Sequence, residues 1–226
     1  WARIAMELHA ITGTQQYLDV FNNISFAGFP ASEPDAGANL RDLMVTQGDG
    51  AIFWDSSWFC TPCGNWQDTS HASDLYDFWL MAYDLGYYWT LTDITGFKIT
   101  MDQHWFPSNI GANVLTRING AQGNDDGKRM FGCVRYGRFD ESLRTRIISQ
   151  YTNDSSVKDW GNYGVNYAAY NLYNKFYVDG STFAYPEAGG IPVTSVTWND
   201  DNQTITDSED LDLSLTFAPT DATDQN

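Results

Sequence analysis

ARIAMELHAI, residues 2–11, alternates between apolar and polar side chains. The apolar residues Ile4, Met6 and Leu8 would share one face of an extended chain, with polar residues on the other face. A period of two residues is typical of a half-buried β-strand. A second apolar-rich segment, residues 18–26, follows after a polar turn. The start of the chain therefore predicts a β-hairpin.

Further segments with strand character follow along the chain. Residues 51–59 are apolar and aromatic, and residues 97–105 alternate between apolar and polar side chains. Near the C-terminus, residues 193–198 are rich in Val and Thr, and residues 211–217 alternate again. Short strands separated by Gly, Asn and Asp indicate an antiparallel β-protein.

Helical spacing appears in two places between these strands. Ser73 stands at an N-cap position, and apolar residues repeat behind it at helical spacing until Gly86. Asp140 is a second cap, with Leu143 and the apolar residues that follow it marking another helix. Residues 160–177 are rich in aromatic residues and fit either a third helix or a pair of strands.

These segments predict a mainly β fold, an antiparallel jelly-roll-like sandwich or barrel with two or three inserted short helices. The chain has 42% hydrophobic and 15% aromatic residues, enough to bury a core. Residues 1–218 are predicted to form a single β-rich domain, and residues 219–226 a short polar tail.

The net charge excludes several classes of partner. The chain carries 12 basic and 29 acidic residues, a net charge of -17 and a pI near 4.2. So negative a surface repels nucleic acid and anionic lipid, and it suits a salt-rich, halophilic environment in which carboxylate repulsion is screened. No run of 18 apolar residues exists, so a membrane span is not expected.

Two acid-histidine pairs form a candidate metal site. Glu7 and His9, like Asp102 and His104, are two residues apart and would share one face of a strand. If the two strands were neighbours, the four side chains could gather on a divalent metal. The alternative is that both pairs are simply solvated on the polar faces of their strands.

The cysteines suggest either redox chemistry or a structural link. Cys60 and Cys63 enclose Thr-Pro after an aromatic segment, and a Gly-Ile-Pro occurs at residues 190–192. This arrangement resembles the active-site turn of thioredoxin-like redox proteins, and the resemblance implies a thiol oxidoreductase that uses the Cys-x-x-Cys pair. The alternative is a disulfide: between the two, with Cys133, or to another copy of the chain.

Calcium is the other candidate cation. Three acid-rich loops, at residues 124–127, 199–202 and 207–210, offer closely spaced carboxylate and carboxamide oxygens. None of them matches the full EF-hand pattern, so carboxylates with hydrated monovalent counterions are the alternative. No cofactor is otherwise indicated.

A basic strip is the feature from which the leading functional hypothesis is built. Six of the twelve basic residues lie within residues 128–146, among them the predicted interface residues Arg129, Arg135, Arg138, Arg144 and Arg146. In an acidic protein such a strip would attract the carboxylates of a neighbouring copy. A helix with solvated arginines is the alternative.

We therefore expect a non-enzymatic structural subunit of a shell or coat, such as a virus capsid-like jelly-roll protein or a cell-surface layer protein. It would assemble with copies of itself or other shell subunits, outside the cell or on the surface of a virion or cell, without binding nucleic acid directly. The alternatives are a secreted glycan-binding or glycan-cleaving β-sandwich, because exposed Trp and Tyr stack on sugars, and the thiol oxidoreductase described above.

Overall fold

The computed structural model of the chain describes residues 1–33, 35–58, 63–108, 113–121, 123–125, 129–153, 161–178, 196–198 and 203–205. The chain divides into two compact units, residues 1–178 and 179–226. The first unit is mainly helical. Its α-helices are α1 (Ala2–Thr12), α2 (Gln15–Asn22), α3 (Thr69–Asp84), α4 (Leu91–Ile99), α5 (Glu141–Asn153) and α6 (Gly161–Val178).

The remaining helical segments are short or irregular. Single turns of π-helix extend α2 over Asn23–Ala27 and α4 over Thr100–Trp105. A 3-10 turn spans Arg41–Leu43, and a longer 3-10 helix spans Phe131–Phe139 and leads into α5. None of the helices in the described part of the chain is both long enough and apolar enough to cross a bilayer.

The predicted jelly-roll-like sandwich or barrel is wrong. The described strands form three separate two-stranded antiparallel ladders, and no larger sheet joins them. The pairs are β1 (Met44–Thr46) with β2 (Ile52–Trp54), β3 (Val114–Leu115) with β4 (Asn124–Asp125), and β5 (Val196–Trp198) with β6 (Gln203–Ile205). The last pair lies in the second unit, and residues 211–217 are outside the described residues.

The predicted N-terminal hairpin is replaced by α1 and α2. The face of α1 that packs on the core consists of Ala2, Ala5 and Met6, at helical spacing. Two of these three are alanines, which contribute little to a hydrophobicity pattern, so the larger Ile4, Met6 and Leu8, spaced two residues apart, produced the apparent period of two. The helix ends at Gly13, whose φ of 66° places it in the left-handed conformation typical of a C-cap.

Residues 97–105, predicted as a strand, belong to α4 and its π-helical extension. The helix begins with a capping box, in which Thr90 accepts a hydrogen bond from the Asp93 amide and Asp93 accepts one from the Thr90 amide. Gly96 lies inside this helix, where a β-carbon would come within 2.6 Å of two Ile52 side-chain atoms. A glycine at this position lowers helix propensity but permits close packing of α4 on β2.

Asp93 also anchors α4 to the 3-10 turn Arg41–Leu43. Its side chain accepts a hydrogen bond of 2.7 Å from Arg41, and the Arg41 guanidinium lies over the ring of Trp89 at 4.6 Å. Burial alone would raise the pKa of Asp93, but the hydrogen bonds from Arg41 and Thr90 outweigh it and lower this pKa. The ionised carboxylate therefore stabilises the folded chain.

This shift predicts a loss of stability in acid. Because the pKa of Asp93 is lower in the folded chain than in the unfolded chain, its contribution is complete above the ordinary Asp pKa of about 3.9 and disappears as the pH falls further. We expect Asp93→Asn to lower the free energy of unfolding at pH 7 by about 1.5 to 3 kcal/mol. Urea titrations from pH 7 to pH 2.5 measure the difference, which should shrink below about pH 4. A difference independent of pH would contradict the assignment.

The core of the first unit is aromatic. Trp79 is fully buried, stacks on Phe97 with ring centroids 4.1 Å apart, and meets Trp54 edge to face at 4.8 Å. Tyr76 donates a hydrogen bond to the Phe97 carbonyl and accepts one from the indole of Trp105. This cluster joins β2, α3, α4 and the π-helical turn after α4, so it holds together elements that are far apart in the chain.

Candidate functional site

The two acid-histidine pairs lie on helices, so the strand geometry behind the predicted metal site is absent. Glu7 accepts a hydrogen bond of 3.1 Å from Arg3 on α1, and the His9 ring hydrogen-bonds the Tyr87 hydroxyl at 2.6 Å. Residues two apart on a helix point about 200° away from each other, since each residue turns the helix by about 100°. Glu7 and His9 therefore do not share a face.

The second pair is also engaged elsewhere. Asp102 contacts Arg146 and lies 3.8 Å from Lys98, whereas His104 contacts Asp49 at 2.7 Å. Across the described residues, no group of three or more His, Cys, Asp or Glu side chains is placed to hold a metal ion. The backbone of Asn124 and Asp125 forms β4, and the rest of the three acid-rich loops lies outside the described residues.

The cysteines differ in their surroundings. Cys133 is a free, fully buried thiol, so the alternative of a bond between Cys133 and another cysteine of the chain is wrong, whereas Cys63 is disulfide-bonded. The Cys63 amide donates a hydrogen bond of 2.8 Å to Asp55. Cys60 and the Gly-Ile-Pro at residues 190–192 lie outside the described residues. The thiol oxidoreductase reading therefore stays a prediction.

We expect Cys133 to be protected from alkylation. Burial raises the pKa of this thiol well above its usual value, and only the thiolate is a strong nucleophile. Iodoacetamide at pH 8 should therefore modify Cys133 about a thousandfold or more slowly in the native chain than in denaturant, because modification needs unfolding. Mass spectrometry of the peptide containing Cys133 gives both rates. Rapid modification of the native chain would contradict the buried position.

The predicted interface arginines mostly contact carboxylates of their own chain. Arg135 pairs with Asp77 at 3.2 Å and with Asp84 at 2.8 Å, and Arg138 pairs with Asp84. Arg135 and Arg138 are 9% and 6% exposed. They lie on one side of the 3-10 helix, where it packs on α3.

The other three predicted interface residues are more accessible. Arg146 on α5 contacts Asp102 and the Phe106 carbonyl, and Arg144 is half-buried on the same helix. Arg129 is exposed. The docking of these arginines on a neighbouring copy stays a prediction, although the charges of Arg135, Arg138 and Arg146 are already matched within the chain.

A surface pocket of about 330 Å³ is the candidate ligand site. It is lined by the segment Ala36–Ala38, which we call the rim, by the polar residues Asn39 and Asp42, and by Leu43 and Trp58. This volume falls at the lower end of the range for small-molecule pockets, about 300 to 1,000 Å³. The pocket therefore suits one or two small rings.

The rim belongs to the loop that follows the π-helical turn Asn23–Ala27, and backbone hydrogen bonds join the two ends of this loop. Phe29 donates a hydrogen bond to the Ala38 carbonyl and accepts one from Gly37, at 3.2 Å and 2.9 Å. Gly28, with a φ of 90°, lies so close to Gly37 that a β-carbon would come within 2.7 Å of the Gly37 carbonyl oxygen. Close backbone packing of this kind requires glycine.

The polar wall is a local capping arrangement. The Asn39 carboxamide oxygen accepts from the Asp42 amide at 2.9 Å, and its nitrogen donates to the Asp42 carboxylate at 2.7 Å. Asn39 is buried, whereas Asp42 is exposed. Trp58 also lines the pocket, and its indole packs edge to face on Phe29 at 5.8 Å.

The chemistry of the pocket is that of hydrogen-bond acceptance next to an aromatic surface. Asp42 is exposed and carries a carboxylate, whereas the amide nitrogen of Asn39 already donates to the Gly37 carbonyl and to Asp42. A ligand that donates hydrogen bonds and has an apolar face therefore fits, and an anion does not.

Sequence reasoning missed this pocket, although it recognised the aromatic wealth of the chain. The spacing Asn39-x-x-Asp42 is a visible capping signal. Nothing local, however, brings Trp58 to a loop about twenty residues before it. The chain matches no protein-family model, no curated protein and no solved structure.

Proposed function

We propose that this protein binds a sugar in the pocket between Asp42 and Trp58. The observation that carries the proposal is that the exposed Asp42 and the half-buried Trp58 line the same pocket of about 330 Å³. Sugars donate hydrogen bonds through their hydroxyls and present an apolar face of C–H groups, and they therefore use both surfaces at once.

The charge of the chain supports a neutral ligand. With a net charge of -17, phosphorylated or otherwise anionic ligands are repelled before they reach Asp42. An organic ammonium ion is the competing ligand, since it would also pair with a carboxylate and an aromatic ring. We favour a polyhydroxylated ring because the volume of the pocket suits one or two small rings.

Binding is proposed in preference to cleavage. Glycoside hydrolysis commonly uses two carboxyl groups on either side of the scissile bond. Among the described residues that line this pocket, Asp42 is the one with a carboxyl group. The extracellular location expected from the sequence suits a sugar-binding protein and stays a prediction.

The experiment is a ligand titration followed at Trp58. The chain is labelled with 5-fluorotryptophan, the Trp58 resonance is assigned from the variant Trp58→Phe, and neutral monosaccharides and disaccharides are added. We expect saturable shifts of this resonance. Asp42→Asn should weaken binding about 10- to 100-fold, because a hydrogen bond to a charged group contributes about 1.5 to 3 kcal/mol.

Two controls make the result specific. Asp19→Asn removes an exposed carboxylate on α2, where Asp19 accepts a hydrogen bond from Gln15, and should leave the affinity unchanged. Tetramethylammonium chloride, added in place of a sugar, tests the competing ligand. The proposal is overturned if no sugar shifts the Trp58 resonance, if only the ammonium ion does, or if Asp42→Asn and Asp19→Asn behave alike.

A further inference from the structure

One face of α1 is apolar and open to solvent. Trp1, Ile4 and Ile11 are 89%, 51% and 80% exposed, and Leu8 lies between them, half-buried. At about 100° per residue Ile4, Leu8 and Ile11 fall within a sector of about 60°, on the side away from the core residues of α1, and Trp1, the N-cap residue, adds a fourth exposed apolar side chain at the start of the helix. We call them the α1 stripe. Single exposed apolar residues are ordinary, but an aligned row of four marks an interaction surface.

The α1 stripe is also electrically neutral in a strongly acidic chain. With His9 counted as neutral, residues 1–12 carry one positive side chain, Arg3, and one negative side chain, Glu7, whereas the whole chain has a net charge of -17. Arg3 pairs with Glu7 at 3.1 Å and with the buried Asp77 at 2.7 Å. Two copies that approach through this face bring no net charge into the contact. Most other approaches would set carboxylates against carboxylates.

We propose that the α1 stripe binds the α1 stripe of a second copy in an antiparallel pair. When the two-fold axis crosses α1 at the level of Met6, on the opposite face, Trp1 of each copy faces Ile11 of the other copy, and Ile4 faces Leu8. Large apolar side chains then meet along the whole length of the contact. A two-fold contact uses the same patch of both copies. It therefore requires a row of side chains that fits a second copy of itself running in the opposite direction.

The size of the stripe predicts a weak dimer. Its side chains offer on the order of 500 Å² per copy, so a pair buries about 1,000 Å², the lower limit for a specific interface. The corresponding dissociation constant is on the order of 10 to 100 µM. Trp1, the largest and most exposed of the four, is the expected anchor.

The response to salt separates this dimer from an assembly through the basic strip. The contact itself is apolar while the two bodies repel each other, so salt should strengthen the pair as it screens the carboxylates. Docking of arginine on a neighbour's aspartate would instead weaken with salt. The two modes of association therefore respond to salt in opposite directions.

The test is sedimentation equilibrium of the 226-residue chain at 5 to 500 µM, in 0.05 M and 1 M NaCl. We expect a monomer–dimer equilibrium that is about tenfold tighter at the higher salt. Ile11→Glu should abolish it across this concentration range. Val165→Glu is the matched control, because Val165 is 69% exposed on α6 and the substitution adds the same charge. Circular dichroism verifies that both variants are folded.

Trp1→Ala tests the same contact without adding a charge, and it should weaken the dimer at least about tenfold. The proposal is overturned by a chain that stays monomeric at 500 µM, by association that weakens with salt, or by equal effects of Ile11→Glu and Val165→Glu. Sugar binding at the Trp58 pocket is independent of these outcomes, since the variants named here leave that pocket unchanged.

Discussion

Substitution of Asp77 by asparagine is expected to lower the free energy of unfolding by about 3 to 5 kcal/mol, because it removes the centre of a buried ion-pair network. The Asp77 side chain is 2% exposed and pairs with Arg3 at 2.7 Å and with Arg135 at 3.2 Å. It also accepts a hydrogen bond from the Tyr170 hydroxyl. The amide keeps the shape of the side chain but leaves two guanidinium groups without this counter-charge.

Glu7→Gln is the matched control, since Glu7 pairs with the same Arg3 at the surface. The side chains of this surface pair are 43% and 44% exposed, and such pairs contribute about 0.2 to 1 kcal/mol. Urea unfolding followed by circular dichroism measures both variants. Similar losses for Asp77→Asn and Glu7→Gln would show that Asp77 is not the buried centre described above.

Trp79→Ala is expected to lower the free energy of unfolding by about 3 to 5 kcal/mol, because the packing around the indole is lost. Trp79 is fully buried in contact with Trp54, Trp89 and Phe97, so truncation leaves a cavity that rings on several elements cannot fill together. Domains of this size have stabilities of about 5 to 15 kcal/mol, so the variant is expected to fold with a lowered midpoint.

Leu172→Ala on α6 is the control for truncation, because Leu172 is 56% exposed. Its effect should stay within about 0.5 kcal/mol, since alanine favours the helix and little burial is lost. Urea midpoints compare the two variants. A loss for Trp79→Ala no larger than that for Leu172→Ala would contradict the aromatic core.

Local sequence signals identified two helices correctly. The prediction of a helix ending at Gly86 is confirmed by α3, and the prediction of a helix after Asp140 is confirmed by α5, whose Leu143 amide bonds the Asp140 side chain at 3.0 Å. The predicted start of α3 is too late in the sequence. Its N-cap is Asp68, whereas the predicted cap Ser73 lies buried inside the helix and accepts a hydrogen bond from the Gly132 amide.

The predictions of strands at residues 2–11 and 97–105 are wrong for the same reason. Within ten residues, alternation and helical spacing share many positions, so a few large side chains decide which period is seen. In α1 the core side is built from small alanines, and in α4 a glycine interrupts the pattern because Ile52 lies against it. The Thr90-x-x-Asp93 capping box was the local signal that identifies α4 as a helix.

The sequence alone determined the net charge of -17 and the helices α3 and α5, whereas the exclusion of nucleic acid and anionic lipid as partners stays a prediction. Charge is a sum over residues, and a long amphipathic period with its cap is local information. The tertiary structure decided that α1 is a helix, that Arg135 pairs with Asp77, and that Trp58 lines the same pocket as Asp42. Each of these depends on contacts between segments that are distant in the chain. Net charge is a sum over single residues, whereas packing depends on which two segments meet, and neither segment alone contains that information.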